Sequence, residues 1–264
     1  EGVAPSGRLR RRSGARARNG RARASAGSRV EDACVALAAM TQFSTNNETG
    51  LVFAPLFLTD VSGKPALTTL FKGTFRIVPD KPLTLADEQS EISLHGQYRG
   101  DPATSSYVYE PETALKKPAC DIALVGHAVA AQPTQVIDVG VKVGPVQKVV
   151  RVFGDRYWVK SSGDVIASKP QPFQKMPLIY ERAFGGWDKS HKDERRWTFE
   201  PRNPVGRGFG DPLRFVDEGK VPMPNIEDPS QPIKRYGDAP QPAGLGFVSP
   251  NWQPRAKLAG TYDA

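Results

Sequence analysis

The stretch VIDVGVKVGPVQKVVRVFGD, residues 136–155, decides how this chain folds. Its apolar side chains Ile137, Val139, Val141 and Val143 alternate with Asp138, Gly140 and Lys142, the period of two that a half-buried β-strand requires. Gly144-Pro145 interrupts the pattern as a turn, and Val146, Val150 and Val152 resume it. Gly154-Asp155 marks a second turn, RYWVK a short strand, SSGD a third turn and VIAS another strand. Strands joined by tight turns make an antiparallel meander, the local connection of sandwiches and barrels.

The same period appears upstream. DIALVGHAVA predicts a strand near Ile122 to Ala130, and FKGTFRIV places Phe71, Gly73, Phe75 and Ile77 on one face with Lys72, Thr74 and Arg76 on the other, until Pro79 to Pro82 ends it. Helical signals reduce to one turn over Asp193 to Trp197. From Pro201 to Pro254 the chain carries eleven prolines in 54 residues, too many for central strands or long helices. Phe209, Phe215, Ile226, Tyr236, Phe247 and Trp252 punctuate that segment and would be costly to leave in water, so it reads as an ordered loop layer. The expected fold is all-β: an antiparallel meander forming a β-sandwich or barrel-like core, covered by a Pro/Gly-rich loop layer, in a single domain over residues 40–264.

Charge is distributed unevenly. The formal net charge is +8, but residues 1–39 hold nine arginines against Glu1, Glu31 and Asp32, which leaves a nearly neutral body. Those 39 residues include 25 Ala, Arg, Gly and Pro and show no apolar period, so they cannot offset their ordering entropy. They read as a disordered tail outside the native protein, with a start at Met40, ahead of two alternatives, a targeting peptide and a basic nucleic-acid-binding arm. Cys34 lies in the tail and Cys120 stands alone in the body, which leaves no internal disulfide there and suits a reducing cytoplasm. No run of 18 or more apolar residues marks a membrane-spanning helix.

Catalytic constellations are sparse. His95, His127 and His191 stand far apart without metal-ligand spacing, so neither a metal nor another cofactor is expected. Ser105-Ser106 lies in a polar DPATSSY loop without an adjacent base, and Asn203 to Pro212, NPVGRGFGDP, lacks the spacing and following helix of a phosphate cradle. Between Arg182 and Arg214 eight basic residues face five acids beside Trp187 and Trp197; that composition is compatible with single-strand stacking, but the mixed signs favour a solvated loop face, so nucleic acid is not an expected partner. In MPLIYERAFGGWD, residues 176–188, a strand over PLIYERAF would send Glu181 and Arg182 to opposite faces, where each needs its own partner. Asp228, Arg255 and Asp263 are the candidates, and together the five residues would latch the loop layer onto the sheet.

MPLIYERAFGGWD, NPVGRGF, PMPNIEDPSQPI and PQPAGLGFVSPNWQPRAKLAGTYD, with LFKGTFRIV, VFGDRYW and the segment over residues 88–128, resemble the bacterial family called domain of unknown function 2169. The likeness spans Met40 to Ala264. Members of that family usually continue beyond the TYD motif, so the resemblance implies C-terminal truncation. It further implies a cytoplasmic, non-enzymatic adaptor or chaperone that helps load a toxic effector onto the type VI secretion spike, with an effector or spike protein as partner and no membrane contact. Trp187, Trp197, Phe209 and Trp252 are the candidate interface residues, since aromatic anchors dominate interface energetics. The alternatives are a loop-cleft hydrolase drawing on Glu181, Asp188 and Asp228, or a carbohydrate- or nucleic-acid-binding module.

Overall fold

The computed structural model describes residues 44–60, 62–113, 120–210 and 220–256. The chain divides between Asn46 and Asn47, and the second unit, Asn47–Ala264, is the one described below. The tail read over residues 1–39 lies outside the described residues.

The unit opens with locally paired strands. β1 (Val52–Thr59) and β2 (Pro65–Lys72) form an antiparallel hairpin running from Val52↔Lys72 to Thr59↔Pro65. β3 (Phe75–Arg76) pairs with β4 (Thr84–Leu85), and β5 (Gln97–Tyr98) with β6 (Tyr107–Tyr109). The single strand expected over FKGTFRIV is therefore two. Its chain bends at Gly73, where a Cβ would lie 2.8 Å from the Phe75 ring that folds back over it. Its apolar face is not half-buried either: Phe71, Phe75 and Ile77 are 57%, 49% and 81% exposed.

The remaining elements are β7 (His127–Thr134), β8 (Val136–Val143), β9 (Val146–Phe153), β10 (Tyr157–Ser161), β11 (Asp164–Ala167), β12 (Phe173–Pro177), β13 (Phe184–Gly185), β14 (Trp187–Asp188), β15 (Thr198–Phe199), β16 (Arg207–Gly208), β17 (Lys220–Pro222), β18 (Ile226–Glu227) and one helical turn, α1 (Gln253–Ala256). The expected meander forms as two hairpins in separate sheets, with no pairing between β9 and β10 among the described residues. β8 and β9 pair from Val136↔Phe153 to Val143↔Val146 around the Gly144-Pro145 turn, and β10 pairs with β11. The upstream strand begins at His127 rather than Ile122; before it, the Leu124 amide donates to the Leu245 carbonyl at 2.7 Å.

The proline-rich segment does more than cover the sheets. β17 adds a third strand to β10–β11, and β18 a third to β8–β9. Both strands are two or three residues long and lie at sheet edges, where proline is tolerated. The main core draws Val150, Val152 and Ile226 from one sheet, Ala128 and Met176 from the β7–β12 pair, and Leu178, Tyr180, Ala183, Ala243, Leu245 and Trp252 from the loops. Two sheets contributing side chains to one core is the sandwich arrangement. Among the described residues no sheet closes on itself, so the barrel alternative falls. A smaller cluster, Trp158, Val221 and Met223, has Tyr236 packed edge-on against Trp158 at 5.8 Å. Among the described residues, no helix is long and apolar enough to cross a membrane.

Candidate interaction site

The expected strand over PLIYERAF is interrupted. β12 ends at Pro177, and Tyr180–Arg182 forms one turn of 3-10 helix, closed by the Ala183 amide on the Tyr180 carbonyl at 3.1 Å. Three residues per turn send successive side chains in three directions. Tyr180 enters the core, edge-on to Trp252 at 5.4 Å, and burial pushes its hydroxyl pKa up to about 12. Glu181 turns toward the start of β6, accepting hydrogen bonds from the Ser106 amide at 2.7 Å and the Ser106 hydroxyl at 2.8 Å. Arg182 turns the third way, donating to Asp155 Oδ1 at 3.2 Å and Asn225 Oδ1 at 3.0 Å.

Two asparagines beside prolines tie the segments together. Asn203 is wholly buried; its Nδ2 donates to the Tyr180 and Phe184 carbonyls, each at 2.9 Å, and its own carbonyl accepts from the Gly186 amide at 2.8 Å. Only glycine fits opposite it. Gly185 has φ 145°, and a Cβ there would lie 2.1 Å from the Asn203 carbonyl oxygen. Asn225 links Arg182 to β9: its amide donates to the Arg182 carbonyl at 2.8 Å and its Nδ2 to the Phe153 carbonyl at 3.1 Å. The Asn225 hydrogen bond to Asp155, helped by Arg182 and Arg207, holds the Asp155 carboxyl below its ordinary value. Deeper still, Arg156 pairs with Glu227, donates to the Pro224 carbonyl at 3.2 Å and stacks 3.7 Å from the Phe153 ring centroid. Burial pushes the Glu227 carboxyl up even against that arginine.

The expected latch partners were Asp228, Arg255 and Asp263. Glu181 and Arg182 do bind separate groups, but those are Ser106, Asp155 and Asn225. Asp228 accepts instead from the Ser230 amide and hydroxyl, at 2.8 and 2.7 Å. Arg255, on α1, pairs with Glu110 and lies 3.4 Å from Asp121, clamping the end of the loop layer to the segment after β6. Asp263 lies outside the described residues. The carboxylates that a hydrolase would share are engaged separately, Asp188 being buried with the Ser190 amide on its Oδ1 at 2.9 Å. Among the described residues, no three His, Cys, Asp or Glu side chains are grouped as a metal site would need.

This framework positions an aromatic face. The positive-φ pair Gly185-Gly186 turns the chain into β14, whose Trp187 opposes Phe199 of β15 in register. The two rings stack at 4.6 Å with planes 26° apart, and remain 41% and 43% exposed. Trp197 is half-buried, its indole N-H donating to the His191 carbonyl at 2.9 Å. Phe209 is also half-buried, following β16 with its amide on the Gly185 carbonyl at 3.0 Å. Trp252 is not on the surface: it is 6% exposed because its ring completes the core against Tyr180, so it serves as no anchor.

A family model described as "uncharacterized protein conserved in bacteria (DUF2169)" matches residues 62–264. The chain belongs to this bacterial family. No curated protein and no solved structure matches it. The DUF2169 span takes in β2 onward, and so includes the 3-10 turn, both asparagine ties and the aromatic face. Phe199 and Asn225 escaped the sequence reading, which takes Ser106 and Asp155 as loop and turn residues rather than as partners of Glu181 and Arg182. Asn203-Pro204 and Pro224-Asn225 carried a usable signal, since asparagine beside proline marks a side chain bonding to a turning backbone.

Proposed function

We propose that this DUF2169 chain is a non-enzymatic adaptor, a β scaffold that grips another polypeptide and helps load a toxic effector onto the type VI secretion spike. The observation that carries the protein-binding part is the arm at the start of the unit. From Asn47 to Ser105 no described residue is buried, yet Leu67, Phe71, Phe75, Ile77, Leu83 and Leu85 are all at least 44% exposed. Large apolar side chains exposed on paired strands are the material of a contact surface. Phe53 and Phe71 face each other across the hairpin at 4.9 Å, a preformed aromatic surface on a strand pair whose outer edges are open among the described residues. The secretion role is what the family likeness implies, and a cytoplasmic site of action follows from it. The separate engagement of Glu181, Asp188 and Asp228 supports an adaptor over a hydrolase.

Deleting the gene should abolish export of one toxin while other secreted substrates continue, and reintroducing the chain with Phe71→Ser and Leu67→Ser should fail to restore it. Unchanged export in the deletion strain would sink the adaptor reading.

A further inference from the structure

A second contact surface lies on the aromatic face, independent of the arm. Between β14 and β15 the chain runs from Lys189 to Trp197 and returns, so its charges are carried beside the Trp187–Phe199 stack. Lys189 Nζ sits 4.9 Å from the Trp197 ring centroid and 5.9 Å from that of Trp187, a cation held between two indoles. The Trp197 ring is fixed by its bond to the His191 carbonyl, and the following turn by the Asp193 side chain, which accepts from the Arg195 amide at 3.1 Å. The excursion is therefore preordered.

Its charges do not cancel. Arg195 is bound by Asp193 at 2.9 Å and Arg202 by Glu200 at 2.6 Å. Lys192 and Arg196 are exposed and meet no carboxylate among the described residues, while Glu194 is the one exposed acid beside them. An excess of positive charge thus borders a rigid, half-open aromatic plate. We infer that this face binds an acidic peptide segment bearing proline, whose carboxylates meet Lys192 and Arg196 while a proline ring lies against Trp187. Proline offers a flat apolar face at low ordering cost, and aromatic surfaces recognise it. A single-stranded nucleic acid fits less well. A phosphate track requires several unpaired cations in line, whereas here two arginines are already neutralised and Glu194 stands among the rest.

The test is calorimetric titration of the full chain with a synthetic peptide of alternating glutamate and proline, alongside a lysine-proline peptide and a single-stranded oligonucleotide. The glutamate-proline peptide should bind, the lysine-proline peptide should not, and rising salt should weaken binding. Lys192→Glu, at an exposed position outside the indole contacts, should lower affinity by about tenfold or more, and Trp187→Ala should lower it further. No binding of the acidic peptide, equal binding by both variants, or tighter binding of the oligonucleotide would each overturn the inference. The arm is untouched in these variants. Acidic-peptide binding with unchanged toxin export after gene deletion would break the adaptor reading alone, and export lost on deletion without peptide binding would break this inference alone.

Discussion

The arm before Ser106 and the body after it are built from similar residues and end differently. Both contain hairpins of eight-residue strands rich in apolar residues, β1–β2 in the arm and β8–β9 in the body. In the body hairpin Val150 and Val152 are fully buried; in the arm hairpin Leu67 and Phe71 are 44% and 57% exposed. The difference lies in what returns to meet each strand. β9 receives β18 from more than seventy residues downstream, together with the loop that carries Leu245 and Trp252, whereas among the described residues β1 and β2 form a sheet of two strands. Strand pattern makes a hairpin; burial needs a distant segment, and on the proposed function a partner supplies the arm's.

The largest effect should come from the centre of the body. Arg156 and Glu227 are 8% and 3% exposed in their side chains, and removing one partner strands a buried charge. Glu227→Ala should destabilise by about 3–5 kcal/mol, and replacing both residues by apolar ones of similar volume should cost much less. Chemical denaturation of the two variants compares them directly. Equal losses would mean that the pair itself, rather than the cost of isolating a charge, holds β18 to the rest.

Next comes the seam between arm and body. Glu181→Ala removes two charge-assisted bonds to Ser106, and should cost about 1–3 kcal/mol. Its neighbour carries the acid sensitivity of the same turn. The Asp155 carboxyl sits below its ordinary value, through Asn225 first and Arg182 next, so its folded form prefers the ionised state. That contribution is present above the unfolded pKa near 3.8 and is lost as pH falls through the lower folded value. Asp155→Asn should therefore flatten the acid end of the stability profile. A profile parallel to that of the parent chain would remove Asp155 from the account.

These residues also mark where the sequence stops being readable. The two hairpins over residues 136–167 were legible because their pairing is local and their turns carry Gly-Pro and Ser-Gly, but the step from β9 to β10 changes sheet rather than continuing a meander. PLIYERAF misled because its alternation is real, while the 3-10 turn is set by partners at Asn203 and Asn225 that lie far off in sequence. β17 and β18 escaped because two or three residues among prolines carry no period, and exist as strands only against β10 and β9. At the candidate interface Trp187 and Trp197 were visible as residue types, but the Phe199 stack required the β14–β15 register, and the burial of Trp252 required the Tyr180 turn.

The smallest effect on stability should fall on the arm, where the comparison is sharpest. Leu178→Ala, in the body core at 3% exposure, should cost about 2–5 kcal/mol, because it leaves a cavity in packed surroundings. Leu67→Ala, the same chemical change on an exposed strand face, should stay within about 0.5 kcal/mol. Melting curves of the two variants, taken with the chain alone and with the toxin proposed as its partner present, separate the cases. With the chain alone only Leu178→Ala shifts the midpoint. With the toxin, the parent chain gains stability through binding and Leu67→Ala gains less, since a ligand stabilises only as far as it binds the folded state. A large loss from Leu67→Ala in the isolated chain would mean that the arm already buries this face, and that the apolar surface belongs to the fold rather than to a partner.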